Sequence, residues 1–356
     1  MTPTFHTLKI AEIRRETEDT VSVAFEIPAA LNESYVYKPG QYLTLRTVID
    51  GEDLRRSYSL CSAPHENEWR VAIKKVDEGK FSSYANTILK VGDELQVMTP
   101  MGNFTADLHP SNAKNYVLFA AGSGVTPVFS LAKSILKEEP NSDVTLFYGN
   151  KGFASIIFRE EIEALKNEHL DRFRVVHILS RESLGNQIQK GRIDADKCSK
   201  LNKAFLSGVP VDAVYVCGPE EMIHAVKDTF TTAGLEPSKI HFELFGTSPV
   251  KKEADLNLPK EQTVDSNVTV ILDGDLYEIA LQSDGDNILD AATKAGADLP
   301  YACKGGVCCT CKAKIIEGTA RMDVNYALEK DEVEAGYILT CQAHPTSEKL
   351  VVSFDD

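Results

Sequence analysis

The chain has 356 residues, 43% of them hydrophobic, and a net charge of −15. That length exceeds one ordinary core and implies two or three domains, and the acidity argues against nucleic acid, whose backbone is bound by clustered Lys and Arg. No apolar run reaches the roughly 20 residues of a bilayer span, and the start, "MTPTFHTLKIAEIRRETEDT", lacks the basic flank and apolar core of a secretory signal.

These features predict a cytoplasmic protein with neither a membrane nor a nucleic-acid partner. Its eight cysteines are then those of a reducing compartment, where thiolates hold metal more often than they form disulfides. From Ser266 onward there are 7 Lys and Arg against 16 Asp and Glu, so −9 of the −15 lies in the last quarter. A basic protein surface would suit that quarter, although acidity also serves solubility.

Residues 1–110 read as short alternating segments: "TVSVAFEI", "QYLTLRTVI", "RRSYSL", "EWRVAIKKV" and "DELQVMTP". Pro39-Gly40, Asp50-Gly51 and Gly92-Asp93 punctuate them, and one helical stretch, "SSYANTILK", intervenes. Many short strands with such turns predict an antiparallel β-barrel. Within "RRSYSL", Arg56 and Tyr58 fall on one face and Ser57 and Ser59 on the other. A cation followed by an aromatic on one face suits a ligand with phosphate at one end and a ring system at the other. An edge strand with a solvated Arg fits the spacing equally.

Residues 111–246 change pattern. "NYVLFAA", "DVTLFYG", "FRVVHILS" and "DAVYVCG" are apolar runs alternating with helical segments such as "SIIFREEIEALKNE" and "PEEMIHAVKDTFTTAG", which predicts a parallel α/β sheet. In "AGSGVTPVFSLAKSIL", Thr126 suits an N-cap and Pro127 the first helical position. Gly122 and Gly124 open the turn, leaving free N–H groups for a pyrophosphate. Cys217-Gly218-Pro219 repeats this strand–turn–helix design, and two such turns at strand C-termini predict a ligand crevice. Ser180 and Arg181, ending "ILSRE", would suit an extra phosphate on a nucleotide ribose and so favour NADPH; a solvated loop Arg is the alternative.

Residues 247–265 read as a polar linker. Residues 266–356 begin with a hairpin over Asp273-Gly274 and a helix, "NILDAATKAG", then reach "CKGGVCCTC". Cys303, Cys308 and Cys311 have the C-x4-C-x2-C spacing of plant-type 2Fe–2S ligands, with Cys341 as the distant fourth. Gly305 and Gly306 let backbone N–H groups approach the sulfurs. A structural zinc site would need a second C-x2-C knuckle, which the lone Cys341 does not supply. Cys309 does not fit the spacing and is read as a non-ligand.

Together, "RRSYSL", "GKFS", the "AGSGVTP" and "CGPEEMI" turns, "FELF" and the cysteine loop resemble the ferredoxin–NADP reductase family with a plant-type ferredoxin domain fused at its carboxyl end. The resemblance covers nearly the whole chain. "ADLPYACKGGVC", "GRID", "YGNK" and "NYALEKDEVEAGYILTCQAHP" look like the reductase-subunit family of the phenylacetyl-CoA ring 1,2-epoxidase systems. The resemblance implies an enzyme passing electrons from NADPH through FAD and a 2Fe–2S cluster to a di-iron oxygenase component. The residues themselves leave FAD and FMN open.

The resemblance also implies roles. Arg56 meets the flavin pyrophosphate, with Tyr58, Ser59 and Leu60 along the ribityl chain and ring. Gly79, Phe81 and Ser82 make the second pyrophosphate contact. Thr126, Cys217, Gly218 and Pro219 hold the nicotinamide end, where a buried inert thiol is an equal reading of Cys217. Glu243 and Phe245 lie near the flavin ring. Tyr58, Ser59, Cys217 and Glu243 are thus the candidate catalytic residues. A reductase for another aromatic-ring hydroxylase, or a redox-sensing NADPH-binding protein, remains the alternative.

Overall fold

The computed structural model describes residues 4–246 and 263–355; most of the predicted 247–265 linker lies outside the described residues. The chain forms two compact units, one made of residues 6–54 and 58–245, the other built around residues 263–355.

The first unit opens with six antiparallel strands: β1 (Phe5–Thr17), β2 (Thr20–Glu26), β3 (Tyr42–Ile49), β4 (Glu52–Ser59), β5 (Trp69–Lys74) and β6 (Glu94–Met98), in the order β4-β3-β6-β1-β2-β5. A bridge between Leu60 and Val71 joins the two ends of this sheet and curls it into a barrel. Leu8, Val23, Leu43, Ile73 and Val97 fill its interior. Asp50 and Gly51 both take left-handed backbone (φ 53° and 79°), as the tight β3–β4 hairpin requires. The sequence patterning does not isolate β1. Two register shifts, between Ile10 and Glu12 and between Arg15 and Thr17, interrupt its two-residue alternation. Helix α1 (Lys80–Thr87) closes one end of the barrel through buried Phe81 and Ala85.

The same unit continues into five parallel strands, β7 (Asn115–Ala121), β8 (Asp143–Asn150), β9 (Phe173–Leu179), β10 (Ala213–Cys217) and β11 (Ile240–Glu243), ordered β11-β10-β7-β8-β9. Chain order runs outward from β7 on one side and from β10 on the other. The reversal therefore falls between β7 and β10, where open α/β sheets leave a crevice at their strand C-termini. Four helices connect the strands: α2 (Val125–Glu138), α3 (Arg159–Glu168), α4 (Ala195–Phe205) and α5 (Glu220–Thr232).

Three expectations are corrected here. Helix α2 starts at Val125 with Gly124 as its cap, because a 3₁₀ turn over Gly122–Gly124 runs straight into it. Thr126 is therefore not the N-cap, and its hydroxyl donates to the Ser123 carbonyl at 3.0 Å. Pro127 is correspondingly the third helical residue and not the first, still within the first turn, where no helical N–H bond is lost. Helix α3 starts at Arg159, later than Ser155, because Phe158 at its cap is left-handed (φ 58°). Helix α4 has no strong sequence signal, since it buries only Cys198 and Leu201.

The second unit is α+β. Strands β12 (Asp265–Leu272), β13 (Asp275–Gln282), β14 (Lys312–Glu317), β16 (Tyr337–Leu339) and β18 (Lys349–Ser353) form one sheet, ordered β13-β12-β18-β14-β16. β15 (Ala320–Met322) and β17 (Ala343–Pro345) form a small second one. The β12–β13 turn again has two left-handed residues, Asp273 and Gly274 (φ 52° and 82°). Helix α6 (Ile288–Lys294) is capped by the Asn287 side chain and packs Ile288, Leu289 and Ala292 onto the sheet, and α7 (Lys330–Glu334) is a short exposed turn.

Candidate functional site

Strand β4 sends consecutive side chains in opposite directions. Tyr58 lies over Phe81 of α1, ring centroids 5.8 Å apart, while Ser59 donates to Glu243 Oε2 of β11 at 3.0 Å. Arg56 is exposed, and its Nη1 donates to the Arg55 carbonyl at 2.7 Å. Leu60 and Phe81 are almost wholly buried (0% and 2% exposed). Phe81 packs beneath Tyr58, and Leu60 lies in the barrel core.

The turn at Gly79 is shaped by Ser82, whose hydroxyl donates to the Gly79 carbonyl at 3.1 Å and accepts from the Val76 N–H at 3.2 Å. A Cβ at Gly79 would stand 2.5 Å from both Ser82 Oγ and Val76 Cγ2. The glycine is needed so that the chain can enter α1 this tightly. An exposed cation, a half-buried tyrosine and a helix start on one barrel suit the phosphates and ring of a dinucleotide flavin.

At the sheet reversal the two turns close on each other. A Cβ at Gly124 would lie 2.1 Å from the Cys217 carbonyl oxygen, and one at Gly218 would meet Met222 Cε at 2.4 Å and Ala121 Cβ at 3.1 Å. Gly124 is therefore fixed by space against backbone, whereas a Cβ at Gly218 would push aside the movable Met222 methyl and crowd Ala121, and the close approach of the β7 and β10 ends rests chiefly on Gly124. Gly124→Ala is expected to destabilise the protein by about 1–3 kcal/mol through overpacking and to weaken nucleotide binding. Thermal melts and a titration with NADPH check this, and an unchanged melting temperature would contradict the clash.

Cys217 and Glu243 are register partners across β10 and β11. Cys217 is fully buried, and desolvation, aided by Glu243, pushes its thiol well up, so it stays neutral. Burial also drives the Glu243 carboxyl up to about 8, with the Ser59 hydroxyl opposing. Glu243 keeps part of its surface exposed, and water at that edge limits the rise. The structure thus brings Ser59, Cys217 and Glu243 together, with Tyr58 beside Ser59 on the same strand. Phe245, two residues beyond Glu243, is 47% exposed.

The motifs "YGNK" and "GRID" find roles here. The Tyr148 hydroxyl donates to the Gly122 carbonyl at 3.0 Å, and Asn150, on the same face of β8, buries an amide nitrogen with no partner among the described residues. An orphaned donor beside a glycine turn fits a ligand phosphate or hydroxyl. Asn150 is absent from the sequence-derived candidates, and the "YGNK" motif is its only signal. Ile193 packs its Cδ1 over Gly149, and Asp194 caps α4 through the Lys197 N–H at 2.8 Å. Ser180 and Arg181 continue the β8–β9 ladder, their N–H groups donating to Asn150 and Lys151 carbonyls at 2.9 and 2.8 Å. Arg181 is exposed. A crevice of about 280 Å³ elsewhere in this unit, lined by Glu16, Arg70, Phe129 and Lys133, contains none of these candidates.

In the second unit the cysteine loop curls through left-handed Lys304 and Gly306 (φ 50° and 72°). The Gly305 N–H donates to Cys303 Sγ at 3.3 Å, and Cys308 Sγ lies 3.1 Å from Cys303 Sγ. Hydrogen bonds from Cys308 and then Cys341 hold the Cys303 thiol far down, and Cys341 lowers Cys311; the same bonds raise Cys308 and Cys341. The four thiols are thus mutually within reach. Among the described residues no three His, Cys, Asp or Glu side chains surround a single ion position. A two-iron cluster distributes four thiolates over two metals, so this donor set, with a backbone N–H on sulfur, fits one. Cys309 faces away, its Sγ donating to the Ala327 carbonyl at 3.3 Å within the apolar core.

Family models match three successive stretches: an oxidoreductase FAD-binding domain at residues 7–106, an oxidoreductase NAD-binding domain at 118–228 and a 2Fe-2S iron-sulfur cluster binding domain at 270–346. The E subunit of the 1,2-phenylacetyl-CoA epoxidase of Escherichia coli (strain K12) is 40% identical over 99% of this chain and 98% of its own. The ferredoxin reductase component of 3-ketosteroid-9-alpha-monooxygenase from Rhodococcus rhodochrous is 32% identical over 98% of this chain and 96% of its own. Phthalate dioxygenase reductase, solved as a modular structure for electron transfer from pyridine nucleotides to a 2Fe–2S centre, superposes with a TM-score of 0.59 and 25% identity over 98% of both chains. Among the described residues no helix is long and apolar enough to cross a membrane. With FAD-binding, NAD-binding and 2Fe–2S domains in this order, the chain belongs to the family of electron-transferring oxygenase reductase components that includes the E subunit of phenylacetyl-CoA epoxidase.

Proposed function

We propose that this chain passes electrons from NADPH through FAD and a 2Fe–2S cluster to the di-iron oxygenase of phenylacetyl-CoA epoxidation, in the cytoplasm. The observation that carries this reading is 40% identity to the E subunit of the epoxidase across 99% of the chain. Residues 1–110 bind the flavin, 111–246 the nucleotide and 266–356 the cluster. When bound, FAD accepts hydride from NADPH and releases electrons singly, and the cluster carries one at a time.

The chain's own residues bind and orient. Arg56, with Gly79 and Ser82 at the start of α1, holds the flavin pyrophosphate, and Tyr58 and Ser59 flank its ring and ribityl chain. The N–H groups of Gly122, Ser123 and Gly124 receive the nucleotide pyrophosphate, and Thr126 and Pro127 fix that turn. Cys217, Gly218 and Pro219 shape the nicotinamide pocket with a neutral thiol. Glu243, neutral below about pH 8, holds a proton beside Ser59 at 3.0 Å, and exposed Phe245 would be available to the flavin ring. Cys303, Cys308, Cys311 and Cys341 hold the irons.

A second reading, reductase for another hydroxylase, draws support from the 32% identical 3-ketosteroid monooxygenase component. Reconstitution with purified oxygenase components and phenylacetyl-CoA separates the two. Epoxide formation coupled to NADPH oxidation is expected. Flavin reduction by NADPH without any product from that substrate would assign the chain to a different oxygenase.

A further inference from the structure

The acid next to Arg181 has its own anchorage. Glu182 Oε2 accepts the Phe153 N–H at 3.0 Å, binding the β9 end to the loop between β8 and α3. A Cβ at Gly152 would stand 2.2 Å from Glu182 Oε1 and 2.8 Å from its carboxyl carbon. Gly152 has φ −157°, an extended backbone that any residue adopts. The space a side chain would take is filled by the Glu182 carboxylate, the movable end of an exposed side chain, so a Cβ there would displace the carboxylate without straining the backbone. The loop is independently shaped, with the Ser155 hydroxyl donating to the Gly152 carbonyl at 2.7 Å and Phe153 under the Arg159 guanidinium at 4.5 Å.

A carboxylate just past a strand end is also the group that accepts ribose hydroxyls in NAD sites and repels a 2′-phosphate. We propose that Glu182 is a latched specificity residue. Gly152 admits the exposed carboxylate to the Phe153 N–H, and this single tether turns it from the ribose edge towards the loop, leaving that edge to Ser180 and Arg181, so that a 2′-phosphorylated nucleotide is accepted. The inference rests on the nucleotide-site reading above. Glu182 acts here as a positioning residue. Released from the loop, it becomes an acceptor for the free 2′-hydroxyl of NADH and a repulsive charge for NADPH.

The test compares kcat/KM for NADPH and NADH in cytochrome c reduction by the holoenzyme, with binding of 2′,5′-ADP and 5′-AMP measured by calorimetry. Gly152→Ala is expected to lower the NADPH-to-NADH ratio about tenfold, mainly through KM, and to weaken 2′,5′-ADP while sparing 5′-AMP. Adding Glu182→Gln to Gly152→Ala is expected to restore the ratio, because no charge is left to expel. Glu182→Gln alone should keep it, since the amide oxygen still accepts the Phe153 N–H. An unchanged ratio in Gly152→Ala, or no rescue in the double variant, overturns the latch. A wild-type protein that binds 2′,5′-ADP no better than 5′-AMP overturns instead the underlying reading of Ser180 and Arg181.

Discussion

Replacing Cys308 or Cys311 with serine is expected to remove the visible absorption of the cluster and to stop cytochrome c reduction, while NADPH still bleaches the flavin. The loss should exceed the roughly 100-fold that follows removal of an outer-shell partner, because a ligand itself is lost. Cys309→Ser is the matched control. Its sulfur bonds the Ala327 carbonyl, and a hydroxyl can make the same bond, so absorption and turnover should both persist. Loss of the cluster in Cys309→Ser, or its retention in Cys308→Ser, would refute the ligand set. Each spectrum is read alongside a thermal melt, since Cys309, Cys311 and Cys341 also belong to the apolar core of this unit.

Glu243→Gln and Ser59→Ala are each expected to slow NADPH-driven flavin reduction by up to about 100-fold, the scale on which small misplacement of reacting groups acts. Stopped-flow reduction under anaerobic conditions measures this, and rates equal to wild type would remove both residues from the proposed positions. Stability supplies a second readout. Glu243 binds its proton more tightly folded, at about 8, than at its ordinary 4.5. Its contribution is therefore fully present below pH 4.5 and is lost as pH rises through 8. Discounted for the exposed edge, the loss is on the order of 2–3 kcal/mol. Wild type should thus melt several degrees lower relative to Glu243→Gln at pH 8.5 than at pH 5.5. A pH-independent difference would mean that Glu243 is not held neutral.

Much of the architecture is local and hence legible in the chain. Apolar runs mark β7 through β10, paired left-handed residues are announced by Asp50-Gly51 and Asp273-Gly274, and the C-x4-C-x2-C spacing is confined to nine residues. Where the periodicity is interrupted, legibility ends. The bulges of β1 hide it, the narrow buried stripe of α4 gives no signal, and left-handed Phe158 delays α3 beyond any propensity argument. The cap of α2 sits at Gly124 rather than Thr126 for a related reason: a 3₁₀ turn runs directly into the helix, and spacing alone does not reveal it.

By itself the sequence determined the order of an antiparallel barrel and a parallel α/β sheet, the C-x4-C-x2-C loop and the glycine turns, because each depends on residues close together in the chain. Only tertiary structure decided what those turns face. Gly124 is fixed by a carbonyl 93 positions away, Ser59 finds its acceptor 184 positions on, and the space beside Gly152 holds the Glu182 carboxylate. Such contacts depend on how β7 and β10 meet at the sheet reversal, how β4 meets β11, and how the β8 loop meets the end of β9. Nothing in local spacing encodes those distances.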